Sequence, residues 1–204
     1  MNSKIEGSLI KKMGMDSAEQ EARKAFVDFT SEDVQCLKEL APMIAEHADR
    51  IVDGFYDNVE RYQHLKDIIS NAGSNIERLK SAQKQYLLGL FAGDYGEEYF
   101  ERRLKIGVIH NQIGLKPRWY LGSYSVYVQL ITPLIMKKYR FSPGRTEKAL
   151  VAMNKIISLD SQLAIDTYIH AVMEDLRSVS LSKDELEETV ASYRELVGNV
   201  ATGD

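Results

Sequence analysis

Residues 105–124, with the sequence KIGVIHNQIGLKPRWYLGSY, contain the pattern that decides the fold. One histidine, His110, stands in an apolar run with Gly107 and Gly114 about one helical turn to either side. A glycine in a helix interior costs about 1 kcal/mol relative to alanine. A helix that carries two glycines beside one histidine therefore needs a physical reason for them.

The helix face around His110 suits a flat, wide ligand. Ile106 and Ile113 share that face with His110, and the two glycines would leave clearance beside the imidazole. Haem has this shape, and histidine is one of its common axial ligands. The alternative is a buried histidine whose ring nitrogens are satisfied by hydrogen bonds within the protein.

The rest of the chain has the periodicity of an all-α protein. Apolar residues recur at intervals of three and four, which is the spacing of one helix face. Thr30 and Asp33 have the residue types of a helix start. Gly114 is placed to end the helix that carries His110, and Pro117 suits the first turn of the next helix.

The composition is that of an ordinary globular domain of 204 residues, of which 44% are hydrophobic. A net charge of −4 argues against a nucleic-acid partner. The single cysteine, Cys36, cannot form an intrachain disulfide. No apolar run approaches the roughly 20 residues that span a bilayer. We therefore expect a soluble, cytoplasmic protein without a membrane span.

Sequence motifs of enzyme sites are missing. The chain has no HExxH zinc motif, no P-loop and no nucleophile elbow. For His47, His64 and His170, a surface position or plain packing is the expectation. We therefore expect a protein that is not an enzyme.

The last two long helices are apolar on more than one face, which predicts a homodimer through them. Apolar residues then continue at heptad spacing from Ile165 to Val200. Ser182 and Glu185 form a capping-box pattern, which predicts a fresh helix at that point. The alternative to a dimeric connector is a surface helix with a single apolar stripe.

The sequence GVIHNQIGLKPRWYLGSY, residues 107–124, resembles the proximal segment of the globin-coupled sensors. These are haem-based gas sensors with a globin fold and a pattern similar to H-x-x-I-G-L-x-P-x-W-Y-x-G-x-Y, which begins here at His110. GFYDNV (54–59) and RLKSAQKQYLLGLF (78–91) resemble the family's second main helix and distal helix in order and spacing. The resemblance covers residues from about 30 to 178.

The resemblance implies an all-α globin fold over residues 30–180. Residues 1–29 would be a mobile N-terminal arm with a short helix. Residues 181–204 would be a helical, coiled-coil linker toward an absent or separate output module.

The resemblance also implies roles for individual side chains. The family's proximal haem ligand falls on His110, and its distal tyrosine falls on Tyr56. Tyr120 is expected beside the ligand imidazole, and Trp119 is expected at the haem edge, with plain core packing as its alternative. The resemblance places distal-helix pocket positions on Leu79 and Ala82. The further cofactor contacts expected are Phe55, Ile106 and Ile113.

The function implied is a sensor domain for a diatomic gas. Haem b, with its iron held by His110, would bind oxygen, nitric oxide or carbon monoxide, with oxygen expected first. Ala82, with Ser81 adjacent, stands where some members carry a threonine. Gas binding would shift a dimer interface and signal to an output domain or partner. The alternatives are a haem-free globin-like signalling module and a haem protein that carries oxygen or acts as a nitric oxide dioxygenase.

Overall fold

The computed structural model describes the backbone of residues 8–202, and the side chains of this range except those at 180–182, 184, 189 and 193–202. The described residues form eight α-helices and contain no strand, so the predicted all-α class is confirmed. The helices are α1 (Leu9–Lys12), α2 (Ser17–Phe26), α3 (Ser31–Val59), α4 (Gln63–Asn71), α5 (Ile76–Leu90), α6 (Glu97–Gln112), α7 (Pro117–Lys138) and α8 (Pro143–Thr202).

The helix ends follow local signals in the sequence. At the start of α3, the Asp33 carboxylate accepts hydrogen bonds from the Thr30 backbone N–H (2.8 Å) and hydroxyl (3.0 Å). Gly114 follows α6 with a φ of 79°, a left-handed conformation that glycine adopts without strain. Pro117 is the first residue of α7. The helix ends predicted within residues 105–124 are thus confirmed.

The core lies where α3 packs against α5 and α7. Leu37, Leu40 and Ile44 recur at helical spacing along α3 and are fully buried. The same face of α3 continues to Phe55 and Tyr56, which are also buried. The end of α3 therefore delivers two aromatic side chains to the interior of the bundle.

The N-terminal segment from residue 8 packs onto the domain. Its helices α1 and α2 contact α6, and Leu9 and Ile10 join the core. The Glu101 carboxylate of α6 accepts hydrogen bonds from the backbone N–H groups of Leu9 (3.2 Å) and Ile10 (3.1 Å). Tertiary contacts with α6 therefore order a segment whose own sequence predicts little structure. Residues 1–7 of the predicted arm lie outside the described residues.

Helix α8 is continuous over 60 residues. The fresh helix start predicted at Ser182 and Glu185 is wrong, because the backbone is helical through both positions. The physical reason is that no glycine or proline occurs between Gly144 and Gly198, so nothing in this stretch breaks a helix.

Contacts divide the chain into two compact units, Met1–Tyr168 and Ile169–Asp204. The domain boundary at 180 and the coiled-coil linker over 181–204 stay predictions. In the second unit, the exposed apolar side chains at heptad spacing are Ile169, Val172, Leu176, Val179, Leu186 and Val190. The seam was also predicted to include Tyr193, Val197 and Val200, whose side chains lie outside the described residues.

Candidate functional site

A cavity of about 260 Å³ lies between α3, α4, α5, α6 and α7. All nine side chains that the sequence predicts at the site line this one cavity: Phe55, Tyr56, Leu79, Ala82, Ile106, His110, Ile113, Trp119 and Tyr120. Its other apolar lining comes mainly from Val59, Leu65, Ile68, Ile69, Ile109 and Leu115. Most of the wall is therefore apolar, as a large planar cofactor requires.

His110 is held by its own helix. Its Nδ1 lies 2.8 Å from the backbone oxygen of Ile106, one turn earlier on α6. A carbonyl oxygen only accepts, so Nδ1 carries the proton and donates. Burial lowers the pKa of His110 below its ordinary value, and the hydrogen bond to Ile106 opposes this effect. The ring is therefore neutral at pH 7, and its Nε2 is left with a free lone pair for a metal ion.

Two aromatic residues at the start of α7 flank the candidate ligand. The Tyr120 ring meets the His110 ring edge-on, with 4.8 Å between centroids. Trp119 lines the cavity and also packs on His64 and Tyr62, at centroid distances of 4.5 Å and 5.0 Å. Trp119 thus joins the N-terminus of α7 to α4 beside the cavity, and His64 is exposed as predicted.

The clearance predicted for the two glycines is wrong. A Cβ added to Gly107 would lie 2.4 Å from Oγ1 of Thr167 on α8, so Gly107 allows two helices to approach closely. Gly114 lies beyond the last turn of α6, where a Cβ would meet nothing within 4 Å. Its role is the left-handed turn that ends the helix. Neither glycine lines the cavity.

The part of the cavity lining that α3 supplies offers one unengaged hydroxyl group. Tyr56 is buried, and no hydrogen-bond partner for its hydroxyl is found in the part of the chain that the structure describes. Burial raises the pKa of Tyr56 to about 12, with Lys80 opposing the shift. The phenol is therefore protonated and able to donate. Ala82 lines the cavity, and Ser81 does not.

Sequence reasoning missed a polar wall made by four further side chains, Gln83, Tyr86, Tyr124 and Tyr127. The Gln83 amide donates a hydrogen bond to the Tyr127 hydroxyl. Helical spacing from Leu79 on α5 and from Tyr120 on α7 is the signal that would have found them. The hydrogen bonds that these side chains make, by contrast, depend on tertiary contacts.

The donor set fits haem. Across the described residues there is no cluster of three or more His, Cys, Asp or Glu side chains that could hold a metal ion. His110 instead offers a single imidazole nitrogen in a mostly apolar cavity, and a haem macrocycle supplies the other four in-plane ligands of its own iron.

None of the helices over the described residues has the length and apolarity that a bilayer crossing needs.

These helices and the cavity between them form a globin fold. The solved globin domain of a Geobacter sulfurreducens globin-coupled sensor matches 72% of this chain and 96% of its own, with a TM-score of 0.68 and 24% identity. The Protoglobin family model matches residues 16–174, and the chain belongs to this family. The predicted fold and the resemblance to globin-coupled sensors are confirmed.

A curated relative extends the comparison along the chain. The heme-based aerotactic transducer HemAT of Halobacterium salinarum is 33% identical over 193 residues. The match covers 91% of this chain and 40% of that relative. The chain thus spans less than half the length of the transducer that it resembles.

Proposed function

We propose that this chain is a haem-based gas-sensor domain in which His110 holds the haem iron. The observation that carries the proposal is the hydrogen bond from His110 Nδ1 to the Ile106 carbonyl, which leaves Nε2 free inside a mostly apolar cavity. Membership of the Protoglobin family and the similarity to a heme-based transducer support it.

Bound haem b supplies a ferrous iron that binds diatomic gases reversibly. The residues of this chain hold the cofactor and discriminate among gases. The bond to Ile106 fixes the tautomer of His110 and makes Nε2 a stronger donor. Ile106, Ile109 and Ile113 line the cavity and would pack against the macrocycle. The Tyr56 hydroxyl would donate a hydrogen bond to the gas, worth about 0.5–1.5 kcal/mol net, which would favour oxygen over the less polar carbon monoxide.

We further propose that the domain is a cytoplasmic homodimer through α7 and α8, and that it signals to an output module or a partner protein. Exposed apolar side chains on these helices support the dimer: Val128 and Met136 on α7, and Val151 on α8. A second copy would cover them. Since α6 carries His110 and a short turn joins it to α7, a displacement of α6 would reach this interface.

The absorption spectrum of the purified chain tests the proposal. After haem supply, we expect a Soret band that shifts separately with oxygen, carbon monoxide and nitric oxide under reducing conditions. Absence of a Soret band would leave the haem-free signalling module as the function. Sustained consumption of nitric oxide by the oxygen-loaded protein would instead indicate a dioxygenase.

A further inference from the structure

A fully buried carboxylate lies behind the polar wall of the cavity. Asp160, on α8, is 1% exposed and does not line the cavity, yet it bonds two tyrosines that do. Tyr124 of α7 donates to its Oδ2 at 3.1 Å, and the Tyr86 hydroxyl of α5 contacts the same oxygen. The two hydroxyl oxygens lie 3.2 Å apart. A buried side chain of α8 therefore bonds directly to residues of the cavity wall.

The other oxygen of Asp160 engages α6. It accepts the Tyr99 hydroxyl at 3.0 Å and forms an ion pair with Nε of Arg103 at 3.1 Å. Three hydroxyls and one guanidinium group thus match the four lone-pair positions of a carboxylate. Burial, and then the charge of Asp160, raise the pKa of Tyr86, Tyr99 and Tyr124, so all three phenols are protonated donors.

Arg103 is as enclosed as its partner. It is 5% exposed, and its guanidinium carbon lies 3.9 Å and 4.7 Å from the ring centroids of Tyr86 and Tyr99. One of its terminal nitrogens donates to the backbone oxygen of Tyr86 at 3.1 Å. Burial alone would lower the pKa of Arg103, but Asp160 raises it, so the guanidinium group stays charged. A guanidinium group this deep tolerates little displacement from Asp160, because water cannot replace a lost partner.

The same helix carries the candidate haem ligand. Arg103 and His110 lie seven residues apart on α6, about two turns along one face. Asp160 and Thr167 have the same spacing on α8, and Thr167 packs on Gly107 between the two α6 residues. Helices α6 and α8 therefore contact each other at two positions, Arg103 with Asp160 and Gly107 with Thr167. The first of these contacts also involves the tyrosines of the cavity wall.

We propose that Asp160 is a positioning residue that couples the cavity to α8. One carboxylate oxygen of Asp160 binds Tyr86 and Tyr124, and the other binds two side chains of α6. Asp160 thereby holds the polar wall of the cavity, α6 and α8 in one arrangement. A displacement of the wall tyrosines on gas binding reaches α8 through this carboxylate. The proposal rests on the proposed function, because it needs a gas-responsive haem in the cavity.

Hydrogen exchange of the haem-loaded chain tests the coupling, with carbon monoxide as the probe gas. In the parent protein, we expect carbon monoxide to change the exchange of amides over 156–168 by about fivefold or more, the lower end of usual coupling energies. The double variant Tyr86→Phe, Tyr124→Phe removes the two wall hydroxyls that bond Asp160 and keeps the Arg103–Asp160 pair. It should lose most of this change. If it does not fold, Tyr124→Phe alone carries the test.

Tyr99→Phe is the matched control, since it removes a hydroxyl from the same carboxylate but lies outside the cavity lining. It should keep the carbon monoxide response. A purely structural role predicts instead that all variants lower the unfolding midpoint and none alters the response, and that result would overturn the proposal. A parent that shows the spectral shift with carbon monoxide but unchanged exchange in α8 also overturns it. A parent without that shift overturns the proposed function and the coupling together.

Discussion

Gly107 of α6 and Thr167 of α8 are in such close contact that an added Cβ would lie 2.4 Å from the threonine hydroxyl oxygen and 2.9 Å from its methyl carbon. Gly107 is three residues before His110, so this contact places α8 directly against the helix that carries the candidate haem ligand. The helix tolerates the poor propensity of glycine because only glycine permits this approach.

Gly107→Ala should destabilise the haem-free domain by about 1–3 kcal/mol, because the new methyl group overpacks the contact with Thr167. Gly122→Ala is the control, since a Cβ there meets nothing within 4 Å. It should stabilise α7 by up to about 1 kcal/mol through helix propensity. Urea unfolding measures both. Equal or greater stability for Gly107→Ala would show that the two helices separate at little cost.

His110→Ala should abolish stable haem binding, because it removes the candidate axial ligand to the iron. Titration with haem, followed at the Soret band, measures the loss. His47→Ala is the control, since His47 lies on α3 outside the cavity lining, and it should bind haem like the parent. Haem binding of unchanged affinity and spectrum in His110→Ala would remove His110 from its proposed role.

Tyr56→Phe should speed oxygen release by up to about tenfold, because it removes a hydrogen bond of about 0.5–1.5 kcal/mol to the gas. Carbon monoxide release should change less, since carbon monoxide is the weaker acceptor. Stopped-flow displacement measures both rates. Tyr62→Phe, outside the cavity lining, is the control. An unchanged oxygen rate in Tyr56→Phe would mean that another donor serves the gas.

Below neutral pH, His110 should weaken the haem-free fold. Burial lowers its pKa in the folded state below the ordinary value of 6.5, against the opposing hydrogen bond to Ile106. As the pH falls below that value, the unfolded chain binds a proton that the folded protein refuses, so the free energy of unfolding decreases. The loss continues down to the folded-state pKa. Urea unfolding between pH 7.5 and pH 5.5, within about a unit on either side of the ordinary value, measures this effect. The free energy of unfolding should fall less over this range for His110→Leu than for the parent. The same pH dependence in both proteins would contradict the prediction.

Met136→Glu and Val151→Glu should convert the proposed homodimer to a monomer, because each buries a charge in an apolar interface. Light scattering after size-exclusion chromatography measures the mass. Phe26→Glu is the control, since Phe26 is 88% exposed and lies on α2 rather than on α7 or α8, and it should leave the dimer intact. A parent that is monomeric at high concentration would rule out this interface.

Local sequence signals predict much of the site. Periodicity locates the helices, and Gly114 and Pro117 mark the turn beside His110. Family resemblance then identifies Tyr56 and the other predicted lining residues, which the structure brings to one cavity. The prediction of a helix start at Ser182 was wrong. A capping pattern has no effect there, because the continuing helix already supplies acceptors for the backbone N–H groups.

The sequence by itself determined that the chain is helical, where the helix with His110 ends, and which residue types could hold a cofactor. These follow from interactions within a few residues of one another. Only the tertiary structure decided that Gly107 serves Thr167 rather than the cofactor, that Glu101 orders the N-terminal segment, and that Asp160 gathers side chains from three other helices. The physical reason is that such contacts join positions tens of residues apart, and a local pattern carries no information about which distant surface will pack against it.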